Sequence, residues 1–173
     1  PLRFNLVLKN RLTGYRITDM ILNITLGIAS RVRRNTMKNK IIMDSAGDLQ
    51  ILEGADFACV PLKIVTEARE FVDSPATDVG EMIAYLQKNR RKTTTACPGV
   101  GEWMEAFGDA EYVFTVAITS NLSGSHNAAV QAKAVYEEEN PGRKVSCLDS
   151  LSTGPEMILI VEKLKELVDS GLS

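Results

Sequence analysis

From Met37 onward, short apolar runs alternate with amphipathic stretches in the order expected of strands followed by helices. Residues 40–43 predict a buried strand that ends at Asp44-Ser45, with a polar Ala46-Gly47-Asp48 turn behind it. Residues 58–65 predict a second strand, in which Pro61 favours an edge or irregular position because it cannot donate to a ladder. Val79, Met82, Ile83 and Leu86 recur at helical spacing after the turn at residues 73–78, and the basic run Lys88-Asn89-Arg90-Arg91-Lys92 suits the negative end of that helix. Pro98 stands at or near the first turn of the next helix, where its missing N–H costs nothing, and Trp103, Met104, Ala106 and Phe107 give that helix an apolar side. Residues 112–118 are the clearest strand. The helix after it carries Ala128, Ala129, Ala132 and Val135 on its inner side and stops at Asn140-Pro141-Gly142. Residues 144–148 form another strand, ending in Asp149-Ser150, and a last helix with Met157, Ile158, Ile160, Val161, Leu164 and Leu167 runs to Gly171. The class is α/β with a parallel sheet.

Three strands thus end in small polar residues: Asp44-Ser45, Thr119-Ser120 and Asp149-Ser150. In a parallel sheet the strand C-termini line one edge, and open α/β sheets bind ligands there. Two further signatures, Thr93-Thr94-Thr95-Ala96-Cys97-Pro98 and Ile118-Thr119-Ser120-Asn121-Leu122-Ser123-Gly124-Ser125, each lie just before a helix. A helix start leaves N–H groups unpaired and carries partial positive charge, so two such starts converging can hold a carboxylate or phosphate without Lys or Arg. Ser, Thr and Asp are also favoured N-caps, so each hydroxyl has a purely structural alternative.

Composition bounds this reading. At 173 residues and 45% hydrophobic, the chain suffices for one domain or one lobe with a real core, and sparse aromatics (6%) offer no stacking surface for nucleic acid. The net charge of −2 hides an asymmetry: residues 1–36 carry +6 and the remainder −8. Met37-Lys38-Asn39-Lys40 looks like a natural start running into the first strand, so residues 1–36 are expected to be upstream sequence or an extension outside the fold, and residues 37–173 the folded lobe. Residues 17–32 are moderately apolar but contain Asp19, Asn23 and Gly27, which argues against a targeting or membrane helix. No apolar run is long enough to span a bilayer, and a cytoplasmic location without stable membrane insertion is expected. Cys59, Cys97 and Cys147 lie far apart and form no CxxC, which predicts free thiols and neither a disulfide framework nor a zinc site.

Enzyme signatures are weak. Ser123 and His126 could mimic a nucleophile and its base, but both sit at one helix start and no GxSxG elbow surrounds the serine. Cys97, before Pro98, is a second candidate nucleophile. Neither GxGxxG nor GxxxxGK[ST] is present, carboxylates such as Glu137-Glu138-Glu139 fall at a helix end expected to face solvent, and no metal-ligand spacing appears. Gly124 lets the backbone approach a ligand closely.

At these same positions the sequence resembles the DegV family of bacterial fatty-acid-binding proteins. The features are Ile41-Ile42-Met43-Asp44-Ser45-Ala46-Gly47-Asp48-Leu49, Val60-Pro61-Leu62, Thr95-Ala96-Cys97-Pro98, residues 118–125 as quoted above and Leu148-Asp149-Ser150. The resemblance covers nearly all of residues 37–173. It implies a three-layer, parallel-sheet lobe, the first of a two-lobe fold, with a long-chain fatty acid buried in a tunnel as ligand and no other cofactor. It further implies that Thr95 and Ser123 contact the carboxylate, with Gly124 beside them; Ser120, Asp44 and Ser45, at the strand ends, are the expected supporting residues. The resemblance also implies that the bound acid is presented to a separate fatty acid kinase subunit, this chain being non-catalytic. The rival expectation is a hydrolase or transferase using Ser123 or Cys97. Two departures stand out: Thr95-Ala96-Cys97-Pro98-Gly99 where many members have Thr-Ser-Gln-Pro-Ser, and Ser125-His126 where many have Thr-Tyr. The second lobe would follow Ser173, so apolar surface that would face it is expected to be exposed.

Overall fold

The first strand is the hub. β1 (Asn39–Asp44) lies at the centre of a four-stranded parallel sheet with β2 (Phe57–Val60), β6 (Tyr112–Ala117) and β7 (Lys144–Asp149), in the spatial order β2-β1-β6-β7. The computed structural model describes residues 38–89 and 92–171, so the expectations for residues 1–36, for a start at Met37 and for Arg90 and Arg91 lie outside the described residues. Successive side chains of a strand point to opposite faces, and β1 shows this directly. Ile42 joins the core under α2 (Val100–Phe107) and α3 (Ser125–Glu139), while Ile41 and Met43 join the core under α4 (Pro155–Asp169). Helix layers on both faces make the three-layer α/β lobe that the sequence predicts.

Trp103 and Phe107 of α2, Ala129, Ala132 and Tyr136 of α3, and Val113, Ala117 and Val145 of the sheet fill the first core. Alanines at 129 and 132 let α3 lie close to the strands. The inward expectation for Val135 is wrong by one position: Val135 is exposed and Tyr136 is buried, its hydroxyl bonded to the carbonyls of Ala110 (2.8 Å) and Gly108 (3.1 Å). Glu137 also departs from a purely solvated role. It accepts the Val145 N–H at 2.8 Å and faces Lys133 and Lys144, so it fastens the end of α3 to β7.

The single strand expected over residues 58–65 is two. Pro61 has no N–H for a ladder, and at Pro61-Leu62 the chain leaves the parallel sheet, the Leu62 N–H being taken by Ser45 Oγ at 2.9 Å. Beyond the break, β3 (Lys63–Val65) pairs antiparallel with β4 (Glu70–Val72) and β5 (Thr94–Ala96) in a small second sheet. α1 (Val79–Lys88) stands between β4 and β5 in sequence, capped by Asp78 Oδ1 on the Glu81 N–H. Its Tyr85 ring meets Phe71 edge-on, and none of its residues is fully buried.

Asp44, at the end of β1, is fully buried. Its Oδ2 accepts the Ile118 N–H at 2.9 Å and the Ser125 hydroxyl at 2.6 Å, joining β1, the end of β6 and the first turn of α3. Hydrogen bonds to a charged acceptor each contribute about 1.5–3 kcal/mol, and losing the acceptor strands two buried donors. Asp44→Ala should therefore destabilise the fold by about 2–4 kcal/mol in urea unfolding. Asp44→Asn, which keeps one acceptor, should lose less than half as much.

Candidate functional site

The C-terminal ends of β1, β6 and β7 lie side by side, as parallel pairing demands, so Asp44-Ser45, Thr119-Ser120 and Asp149-Ser150 share one sheet edge. Most of these groups are committed to each other. Ser45 Oγ holds Leu62. Ser120 donates its hydroxyl to Asp149 Oδ2 at 2.5 Å and its N–H to Oδ1 at 3.1 Å, while Leu151 N–H also reaches Oδ1. The Ser120 hydroxyl leads the causes that hold the Asp149 carboxyl below its ordinary value. Burial drives the Asp44 carboxyl the other way, upward, against the bonds from Ser125 and Ile118. These four residues shape the edge. The geometry gives Asp44, Ser45 and Ser120 internal partners, so their support of a ligand would be indirect.

Ser123 sits on the loop between β6 and α3. The loop is tightened by Thr119, whose carbonyl accepts the N–H groups of Leu122 and Ser123. Ser123 Oγ accepts the Ser125 N–H at 3.2 Å, a local cap that leaves the hydroxyl proton free to donate. No hydrogen bond joins Ser123 to His126 among the described residues, so the nucleophile-base pairing is not formed. The N–H groups of His126 and Asn127 make no hydrogen bond to a described residue, and they are the open donors that a helix start provides.

Thr95 lies exposed on β5, opposite Ile64 of β3, and its hydroxyl has no partner among the described residues. The chain then turns through Cys97, half-buried, and Pro98, buried, to Gly99 at the start of α2. This turn meets the Ser123 loop. A methyl group placed on Gly124 would lie 3.4 Å from Cys97 Sγ, an ordinary van der Waals separation, so the two signatures come near each other at this point. Thr95 and Ser123 thus belong to adjoining turns carried by different sheets.

The start of α2 differs from that of α3. Glu102 Oε2 accepts the Gly99 N–H at 2.8 Å, and Glu102 Oε1 takes Lys63 Nζ at 2.7 Å. A carboxylate of the protein already occupies this helix start, so the open anion-binding end is that of α3. Exposed Leu122 and Leu151 (73% and 75%) project from neighbouring loops at this edge, which are tied by the Thr119 N–H to the Ser152 carbonyl at 2.9 Å. Leu151 adopts a left-handed backbone, φ 54°, a conformation that costs a branched residue about 1–2 kcal/mol. The three cysteines are free and half-buried, and burial pushes the Cys59 thiol up to about 11. Among the described residues no group of His, Cys, Asp and Glu could hold a metal ion, and no helix is long and apolar enough to cross a membrane.

Partial burial raises the Glu102 carboxyl, but the Lys63 ammonium and Gly99 N–H outweigh it and hold the group below 4.5. A depressed folded value contributes stability above the unfolded one and loses it as pH falls through the folded one. Unfolding measured from pH 6 to pH 3 should show a loss on acidification that is smaller in Glu102→Gln.

The comparisons with known proteins bear on the family and the fold. The model for the family described as "Uncharacterised protein, DegV family" matches residues 38–173. A DegV domain-containing protein of Streptococcus pneumoniae is 41% identical over 138 residues, which are 78% of this chain and 49% of the relative. The chain spans about half the length of the curated relatives it matches. A DegV family protein from Eubacterium eligens, solved loaded with heptadecanoic acid, is 44% identical with a TM-score of 0.74, over 77% of this chain and 48% of that one. The fatty acid kinase B3 protein of Streptococcus pneumoniae, solved loaded with linoleic acid, is 40% identical with a TM-score of 0.74, over 79% of this chain and 50% of that one. Fold, strand-end motifs and family match coincide over the same residues, and the chain belongs to the DegV family.

Proposed function

We propose that this chain supplies one wall of a fatty-acid site, in which the Thr95 and Ser123 hydroxyls and the open N–H groups of α3 hold the carboxylate. The observation that carries the reading is the nearness of Cys97 Sγ to Gly124, 3.4 Å from where a methyl group there would lie, which supports the two hydroxyl-bearing turns acting together. The Ser123 hydroxyl proton and the unpartnered Thr95 hydroxyl are donors, and charge-assisted hydrogen bonds to a carboxylate are stronger than neutral ones. Each buried methylene of the tail contributes about 0.8 kcal/mol, so the chain supplies most of the affinity and the hydroxyls set its direction. Leu122 and Leu151 offer apolar surface at the same edge.

In this reading the protein binds and does not react. Among the described residues no base is hydrogen-bonded to Ser123, which supports a donor role over a nucleophilic one. The bound acid, its carboxyl group held at the protein edge, is presented in the cytoplasm to a separate kinase subunit that phosphorylates it. The likeness to the fatty acid kinase B3 protein supports this partner.

Mass spectrometry of protein denatured after purification should release free fatty acid, whereas a covalent acyl adduct on Ser123 or Cys97 would replace this reading with an acyl-transfer enzyme. Thr95→Ala and Ser123→Ala should each weaken fatty-acid binding by about tenfold or more, the loss of one hydrogen bond to a charged group, with unfolding midpoints close to the parent's. Unchanged affinity in both variants would refute the carboxylate site.

A further inference from the structure

We infer that Glu102 and Lys63 are positioning residues for the carboxylate site: together they clamp the Thr95 turn so that Cys97 stays beside Gly124 and the two hydroxyls are kept in register. This deepens the fatty-acid reading above and rests on it.

The turn from Thr95 to Gly99 is fixed at two points. At its start, Ala96 and Thr95 pair with Lys63 and Ile64 of β3. At its end, the Gly99 N–H is held by Glu102 Oε2 at 2.8 Å. The same carboxylate closes the loop between these points, because its other oxygen takes Lys63 Nζ at 2.7 Å, and Lys63 is the β3 residue opposite Ala96. One glutamate therefore ties the small sheet, the turn and the first residues of α2 into a ring. Lys63 is only 20% exposed at its side chain, and Glu70 is a second, more distant acid at 3.8 Å. A partly desolvated pair with both carboxylate oxygens engaged has defined geometry, unlike a lone surface ion pair. Among the described residues no hydrogen bond joins this turn to the Ser123 loop, which Cys97 approaches only by its nonpolar sulfur beside Gly124. Packing of α2 against α3 and the burial of Pro98 set the coarse placement of the turn, and the clamp adds the directional bonds that fix it.

Cys97 reports on the clamp directly, since a loosened turn frees its sulfur from Gly124. The test times alkylation of Cys97 by iodoacetamide in the 173-residue chain, read by peptide mass spectrometry with Cys59 and Cys147 as internal references, and measures affinity for heptadecanoic acid in parallel. Glu102→Ala and Lys63→Met should each raise the Cys97 rate about tenfold and weaken the fatty acid by a similar factor. Lys63→Arg, which keeps the charge, should restore both. Tyr136→Phe removes hydroxyl bonds at the opposite end of α3, so it should lower the melting temperature while leaving both readouts unchanged. Should Glu102→Ala fail to fold, Lys63→Met, which leaves the Gly99 bond in place, carries the test. An unchanged Cys97 rate in folded variants overturns the clamp whatever the lipid result. A faster Cys97 with unchanged affinity overturns its positioning role. Absence of heptadecanoic acid binding by the parent chain, with the Cys97 effect intact, overturns instead the fatty-acid reading on which the role depends.

Discussion

One buried carboxylate holds the ligand edge of this lobe together. Asp44 ends the central strand and receives the backbone of β6 and the first hydroxyl of α3 on a single oxygen. Removed from water, an ionised carboxyl is costly, and the upward displacement of its pKa expresses that cost. The two donors offset it. In exchange the start of α3 has a fixed place relative to the sheet, and the Ser123 loop, one residue upstream of Gly124, inherits that place. A hydrophobic residue at 44 could fill the volume but could not orient a helix end.

The parallel sheet and its two helical faces were legible because long, strongly patterned segments carry them. Residues 112–117 are almost continuously apolar, and β1 alternates between two cores as its neighbours require. The second sheet was not legible. Its strands have three residues each, too few to show an alternation, and Thr94, Thr95 and Ala96 look like the approach to a helix. Pro61 signalled irregularity at the right residue, but that the chain changes sheets there depends on Ser45 capturing the N–H of Leu62, seventeen positions later. A bond of that kind leaves no local trace.

The site was partly legible for the same reason. Runs of Ser, Thr, Asp and Gly before helices mark helix starts, and Gly124 of one such run lies near Cys97 of the other. Sequence gave no means of separating hydroxyls that serve the fold from those left over. Ser45, Ser120 and Ser125 have partners inside the protein, whereas Thr95 has none among the described residues, and Ser123 spends one lone pair and keeps its proton. Glu102 was overlooked as a site residue. Its signal was present as an acid three residues after a glycine at a helix start, a half capping box whose partner Lys63 lies on a distant strand.

Because Thr95 is carried by the three-stranded sheet and Ser123 by the four-stranded one, neither ladder alone fixes the gap between them. The smaller sheet is short, and the helix that accompanies it buries no residue completely. Local opening follows the least-buried segments. In the proposed site the grip on a head group is consequently expected to be lost at a lower temperature than the fold itself, so that a chain still giving the circular dichroism of an intact α/β lobe would already have let its ligand go.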